Sequence, residues 1–182
     1  MSSLLKKSLI SVGLVLTLSG APLITYAVDI EPADQAIYAP MAQVSLPDIN
    51  GGSATLADYR GQVVLVDFWA SWCGPCRQSF PWMNQLQQRY GAESSYGDKG
   101  LKVVAINLDQ DAELAREFLQ DIPAQFTVLL DTEAQLPEAY GVIGMPSSYL
   151  IDRNGKVRAQ HIGFHQDRLD GYEETLKTLL AE

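Results

Sequence analysis

The sequence predicts one α/β sandwich domain, on three observations. Strand-like runs alternate with amphipathic helical segments along most of the chain. One of those runs, Val63-Val64-Leu65-Val66-Asp67-Phe68-Trp69-Ala70, is apolar on both faces, as in a strand buried at the centre of a sheet. A chain of 182 residues with 47% hydrophobic content supports one well-buried core but hardly two.

The first 27 residues stand apart. Lys6 and Lys7 precede an apolar run from Leu9 to about Leu18, Ser19-Gly20-Ala21-Pro22 interrupts it, and Thr25-Tyr26-Ala27 offers a small residue at a cleavage position. That pattern is read as a secretory signal over residues 1–27, with an uncleaved membrane anchor as the alternative. The run is shorter than the ~20 apolar residues of a spanning helix. Residues 28–40 carry two prolines and little periodicity, and are read as a leader to a domain over residues 41–182.

Within the domain, Gln43 to Leu46 and Ser53 to Leu56 flank Asn50-Gly51-Gly52 and predict a hairpin. After the central strand, Phe80, Met83, Leu86 and Tyr90 recur at helical spacing, which predicts a helix from Pro75 to Tyr90, kinked at Pro81 and ended by Gly91. Leu101 to Leu108 reads as a second buried strand, Asp111 to Gln120 as a helix and Phe126 to Leu130 as a third strand. A short helix from Glu133 to Tyr140 follows. Strands at Ser147 to Ile151 and Lys156 to Gln160 are joined by Asp152-Arg153-Asn154-Gly155, and a helix from about Asp167 to Leu180 ends the domain.

The net charge of −9 arises from 13 Lys and Arg against 22 Asp and Glu, spread along the chain. Loss of residues 1–27 would remove two lysines and no acid, leaving 11 against 22 and a net charge of −11. Such a surface argues against nucleic-acid binding through phosphates. Both cysteines would survive the cut, and export would place them where disulfides persist.

Those cysteines carry the chemistry. Cys73 and Cys76 follow a buried strand and open a helix, in the run Trp72-Cys73-Gly74-Pro75-Cys76. A bridge between residues so close cannot staple a large loop, so a redox pair is the better reading. The helix start offers unpaired N–H groups and the positive end of the macrodipole, which draw a thiol below the ~8.5 of free cysteine. Cys73 is therefore the expected nucleophile. Cys76, one turn on, is the expected resolving thiol. Gly74 permits close approach of a substrate backbone, and Pro75 costs the first turn no hydrogen bond.

Asp67, six residues before Cys73, is a carboxyl in an apolar strand. Desolvation should raise its pKa and suit it to proton exchange with Cys76. The alternative is a carboxyl hydrogen-bonded to neighbouring backbone or facing a wet cavity. Met145-Pro146 precedes a strand, and a cis bond there would expose the Met145 backbone to an extended peptide.

The segment from Val66 to Cys76 resembles the active-site segment of thioredoxins, and Pro81 resembles their helix-kinking proline. The leading hairpin, Asp58-Tyr59-Arg60-Gly61-Gln62, the inserted helix and strand near 111 to 130, and Tyr140-Gly141-Val142-Ile143-Gly144-Met145-Pro146 are similar to exported thioredoxin-like proteins of the TlpA and ResA type. The resemblance covers roughly residues 41 to 180. It implies a thioredoxin fold with a mixed central sheet flanked by helices, and a cis Pro146 beside the Cys73 sulfur. It also implies a peptide groove formed by Trp72, Gly74, Pro75, Met145 and Pro146. A membrane thiol reductant is implied as electron donor, protein thiols and disulfides as substrates, a monomer as the working form, and no bound cofactor. Many exported relatives carry Glu where this chain has Ser79 and an uncharged residue where it has Asp67, so the site looks closer to general thioredoxins than to reductases specialised for cytochrome c maturation.

Other readings compete. A disulfide oxidase or isomerase would use the same residues in the opposite direction, and a non-redox peptide-binding module would keep the fold without needing the pair. A peroxidase resembling peroxiredoxins would carry Thr where Ala70 stands. A zinc site is not expected, because one Cys-x-x-Cys pair supplies two of four ligands. The two histidines, His161 and His165, are read as surface residues.

Overall fold

The computed structural model describes residues 38–182. The signal-like segment 1–27 and residues 28–37 of the expected leader lie outside them. Tyr38 pairs with Lys156, and the Ala39 N–H donates to the Gly155 carbonyl at 2.8 Å, so the chain joins the fold from the first described residue.

A small antiparallel pair comes first, β1 (Leu46–Pro47) with β2 (Ser53–Ala54). It is shorter than the expected hairpin because Leu56–Tyr59 coils into a 3-10 turn, anchored where the Asp58 carboxylate accepts the Thr55 N–H at 2.7 Å. The main sheet has five strands in the order β5-β4-β3-β6-β7. β3 (Val63–Trp69), β4 (Leu101–Asn107) and β5 (Thr127–Leu130) run parallel, while β6 (Ser147–Ile151) is antiparallel to β3 and β7 (Val157–Ile162) antiparallel to β6. β3 is central and every one of its residues is buried, as its two-sided apolar pattern requires.

The pleat of β3 divides the core. Val63, Leu65 and Trp69 face a layer made by α1 (Gly74–Tyr90), α2 (Ala112–Asp121) and α4 (Leu169–Ala181), and Phe80 of α1 packs edge-on to Trp69 with ring centroids 4.8 Å apart. Val64, Val66 and Phe68 face the β1–β2 hairpin and α3 (Pro137–Tyr140). Each layer thus seals one face of the sheet against water, a gain of roughly 25 cal/mol per Å² of apolar area removed.

α3 starts four residues later than Glu133. The Asp131 carboxylate accepts the N–H groups of Gln135 at 2.8 Å and Leu136 at 2.9 Å, a local alternative to helical bonding, and Ala134 sits at φ +51°. Pro81 lies inside α1 as expected. Arg153, in the β6–β7 turn, donates to the carbonyls of Lys99, Leu179 and Leu180, which fixes the end of α4 to the sheet. Among the described residues no helix is long and apolar enough to cross a membrane.

Candidate active site

β3 delivers the chain to the site. After Trp69 the backbone turns through Ala70, Ser71 and Trp72, and the Cys73 N–H donates to the Ala70 carbonyl at 3.0 Å. A buried carboxylate just beyond the end of the neighbouring strand β4 holds this turn. Asp109 accepts the Ser71 N–H at 2.8 Å and the Ser71 hydroxyl at 3.0 Å, and is itself oriented by the Asn107 amide at 2.7 Å. Neither Asp109 nor Asn107 was singled out in the sequence. Their signal is the Asn-x-Asp spacing at the end of a buried strand.

Cys73 is the N-cap of α1, and its Sγ accepts the Cys76 N–H at 3.2 Å. The two cysteines form a disulfide with Cα atoms 5.3 Å apart, and both are buried. An anion on Cys73 would sit where a 17-residue helix presents its unpaired N–H groups and positive dipole end. The rim is different in character. Trp72 is 73% exposed and Ile143 84% exposed, a concentration of apolar surface at one end of the sheet. Gly74 and Pro75 are also exposed, and a Cβ on Gly74 would meet nothing within 4 Å, so the fold itself makes no demand for glycine there.

The Met145-Pro146 bond is cis. The register Phe68↔Ser147 puts this pair at the same sheet end from which Trp69 leads to Cys73. The Pro146 carbonyl accepts the Gly163 N–H at 2.8 Å, and Gly163 adopts φ +76°, a conformation that favours glycine. Met145 is partly buried against the α1 layer.

Asp67 lies on the α1 face of β3, between Leu65 and Trp69, in the layer that also holds Cys76. It is 1% exposed. Oδ1 accepts the Ser148 hydroxyl at 2.6 Å, and Oδ2 has no partner among the described residues. Burial pushes the carboxyl up to about 7, against the Ser148 bond, which pulls it down. One turn beyond Cys76, Ser79 is buried and donates to the Cys76 carbonyl at 3.1 Å.

A cavity runs beneath α1, lined by Asp67, Ser79, Pro146, Ser148, His161 and Tyr172 with apolar neighbours. His161 corrects an expectation: it is buried in this cavity, not on the surface. Its ring stacks on Tyr172 with centroids 3.8 Å apart, and burial lowers its pKa to about 4, so the imidazole is neutral at physiological pH. His165 is exposed, as expected. Strand parity explains His161, because Ala159 and His161 share the inward face of β7 while Gln160 and Ile162 point outward.

The fold and the paired cysteines define the protein as a thiol-disulfide oxidoreductase of the thioredoxin type. The chain belongs to the Redoxin family, whose model matches residues 34–178. It is 33% identical over 132 residues to the thiol-disulfide oxidoreductase ResA of Bacillus thuringiensis subsp. konkukian, covering 72% of each chain. Among solved structures it resembles a Chlorobium tepidum protein provisionally assigned as thiol:disulfide interchange protein DsbE. That match has 49% identity and a TM-score of 0.73, over 80% of this chain and 96% of the other. The exposed lipoprotein thioredoxin Etrx1 of Streptococcus pneumoniae matches at 29% identity and a TM-score of 0.62, over 75% of this chain and 98% of the other.

Proposed function

We propose that the protein reduces protein disulfides outside the cytoplasm, with Cys73 attacking, Cys76 resolving and Asp67 exchanging the proton of Cys76. The observation that carries this reading is the position of the Cys73 sulfur at the helix N-cap, where it already accepts the Cys76 N–H. A thiolate there is both stabilised and reactive. Cys73 attacks one sulfur of a substrate disulfide, forming a mixed disulfide and releasing the first substrate thiolate. Asp67 takes the Cys76 proton, and the Cys76 thiolate then attacks the Cys73 sulfur. The intramolecular bridge closes and the second substrate thiolate leaves.

Trp72, Gly74, Pro75, Met145 and Pro146 form the proposed substrate groove. Its exposed apolar rim suits an extended peptide bearing the disulfide. The reducing direction is supported by the Gly-Pro dipeptide between the cysteines, as in thioredoxin. Export is supported by the charged and apolar pattern of residues 1–27, cleaved or retained as an anchor, with 28–40 as leader and 41–182 as the working domain. In an oxidising compartment the reduced form needs a supply of electrons, for which a membrane thiol reductant is the proposed donor. The proposed working form is a monomer. Cytochrome c maturation and general thiol reduction are the two settings proposed for it.

The dithiol form is expected to reduce insulin disulfides well above the rate of the thiol reductant alone, followed as turbidity from the freed B chain. Equal rates with and without the protein would refute the reductase reading.

A further inference from the structure

The sheet register aligns three polar residues in one row. Asp67 on β3 pairs with Ser148 on β6, and Ser148 pairs with His161 on β7. Directly paired residues point to the same face, so all three face the α1–α4 layer, and the two strand spacings of ~5 Å separate the ends of the row. The Ser148 hydroxyl already bonds Asp67 at 2.6 Å. At either end a buried polar atom, Asp67 Oδ2 and His161 Nε2, has no partner among the described residues, and both residues line one cavity. On the opposite side β4 offers only Ala105 at the level of Asp67. Within the sheet the polar neighbours of the carboxyl therefore lie on the β7 side. Ser79 from α1 and Tyr172 from α4 line the same cavity as the row, and Cys76 lies in the core layer on this face of the sheet.

We propose that His161 is a positioning residue for proton transfer at Asp67: its imidazole, with Ser148, orders solvent in the cavity so that the proton taken from Cys76 passes from Asp67 toward the half-buried lining residues Trp82, Gly163 and Phe164. The inference rests on the role proposed for Asp67. The proton balance is simple. Cys76 loses its proton to the Asp67 carboxylate and becomes a thiolate. The carboxylic acid then gives the proton to cavity water and through it to bulk solvent, and His161 donates or accepts hydrogen bonds without net change of charge. Stacking on Tyr172 fixes the plane of the ring, as an oriented hydrogen-bonding group requires.

The test is the rate of the Cys76 step alone. Reduced full-length protein is mixed with an aromatic disulfide that labels Cys73, and release of the second chromophoric thiol by Cys76 is followed by stopped flow from pH 5 to 9. His161→Leu is expected to slow this release about tenfold near pH 7 and to move the inflection upward by about one pH unit, a tenfold effect per unit. His161→Gln, which restores a neutral hydrogen-bonding end, is expected to stay within about twofold of the parent. A group that merely fills the core would alter the unfolding midpoint and leave the pH profile in place. Should His161→Leu fail to fold, His161→Phe keeps a ring against Tyr172 without the ring nitrogens and is expected to give the same upward displacement. A His161→Leu or His161→Phe profile that superimposes on the parent, while Asp67→Asn displaces the inflection, would overturn the role of His161 and leave that of Asp67 intact. An inflection that stays at the parent's pH in Asp67→Asn would instead remove the Asp67 reading, and this proposal with it.

Discussion

Cys73→Ser is expected to abolish turnover, whereas Cys76→Ser is expected to accumulate protein substrates as mixed disulfides on Cys73. The asymmetry follows from the helix start. The Cys73 sulfur occupies the N-cap and accepts a backbone N–H, so it is the sulfur best able to carry negative charge. Cys76 lies inside the first turn, fully buried, and its role begins only once a mixed disulfide stands on its neighbour. Without Cys73 no covalent complex forms. Without Cys76 the first step proceeds and its product has no internal thiol to release it. Non-reducing electrophoresis followed by mass mapping of the linked peptide distinguishes the two. Mixed disulfides accumulating on Cys76 in the Cys73→Ser protein would reverse the assigned roles.

Asp67→Asn is expected to stabilise the oxidised protein above pH 7 and to leave it nearly unchanged near pH 3. In the folded protein burial holds this carboxyl at about 7, against 3.8 for the free side chain. A raised carboxyl favours folding only while it is protonated. Its contribution is fully present below pH 4, falls as pH rises because the unfolded chain ionises first, and is lost above 7. The loss is on the order of 4 kcal/mol, taking about 1.4 kcal/mol per unit. His161 runs the other way. Its folded value of about 4 lies below the ordinary 6.5, so the unfolded chain binds the proton first and stability falls as pH drops from 6.5 toward 4. In the parent the two slopes oppose each other over that interval. In Asp67→Asn only the histidine slope is left, so the stability of the variant should rise with pH between 4 and 6.5 and then level off. Urea unfolding of the oxidised proteins from pH 4 to 8 measures this, and identical pH dependence in parent and variant would show that Asp67 is not held protonated by the fold.

The legible parts of the fold were those written in short stretches of chain. β3, the turn into α1 and the cysteine pair occupy consecutive residues, so an apolar run followed by Cys-Gly-Pro-Cys was enough to place them. The cis bond at Met145-Pro146 was not legible from residues alone and rested on resemblance, which the structure bears out. What stayed hidden depends on partners far apart in sequence. Asp109 grips Ser71 across 38 residues, and nothing near either residue announces the other. His161 was misplaced for a subtler reason. Arg158 and Gln160 make β7 look like a solvated edge, and ending the strand at Gln160 removed the one residue whose parity with Ala159 points it inward. The row from Asp67 to His161 exists only once two strand registers are known. The helical pattern from Glu133 is not realised because the Asp131 carboxylate takes N–H groups that a helix would use.

The equilibrium reduction potential of the Cys73–Cys76 couple, measured by equilibrating the protein in defined glutathione redox buffers and quantifying the dithiol fraction, tests the central claim most directly. A reductase with a Gly-Pro dipeptide between its cysteines should lie near the ~−270 mV of thioredoxin. A value near the ~−120 mV of a dedicated oxidant would contradict the reducing assignment and make the same residues the machinery of disulfide formation.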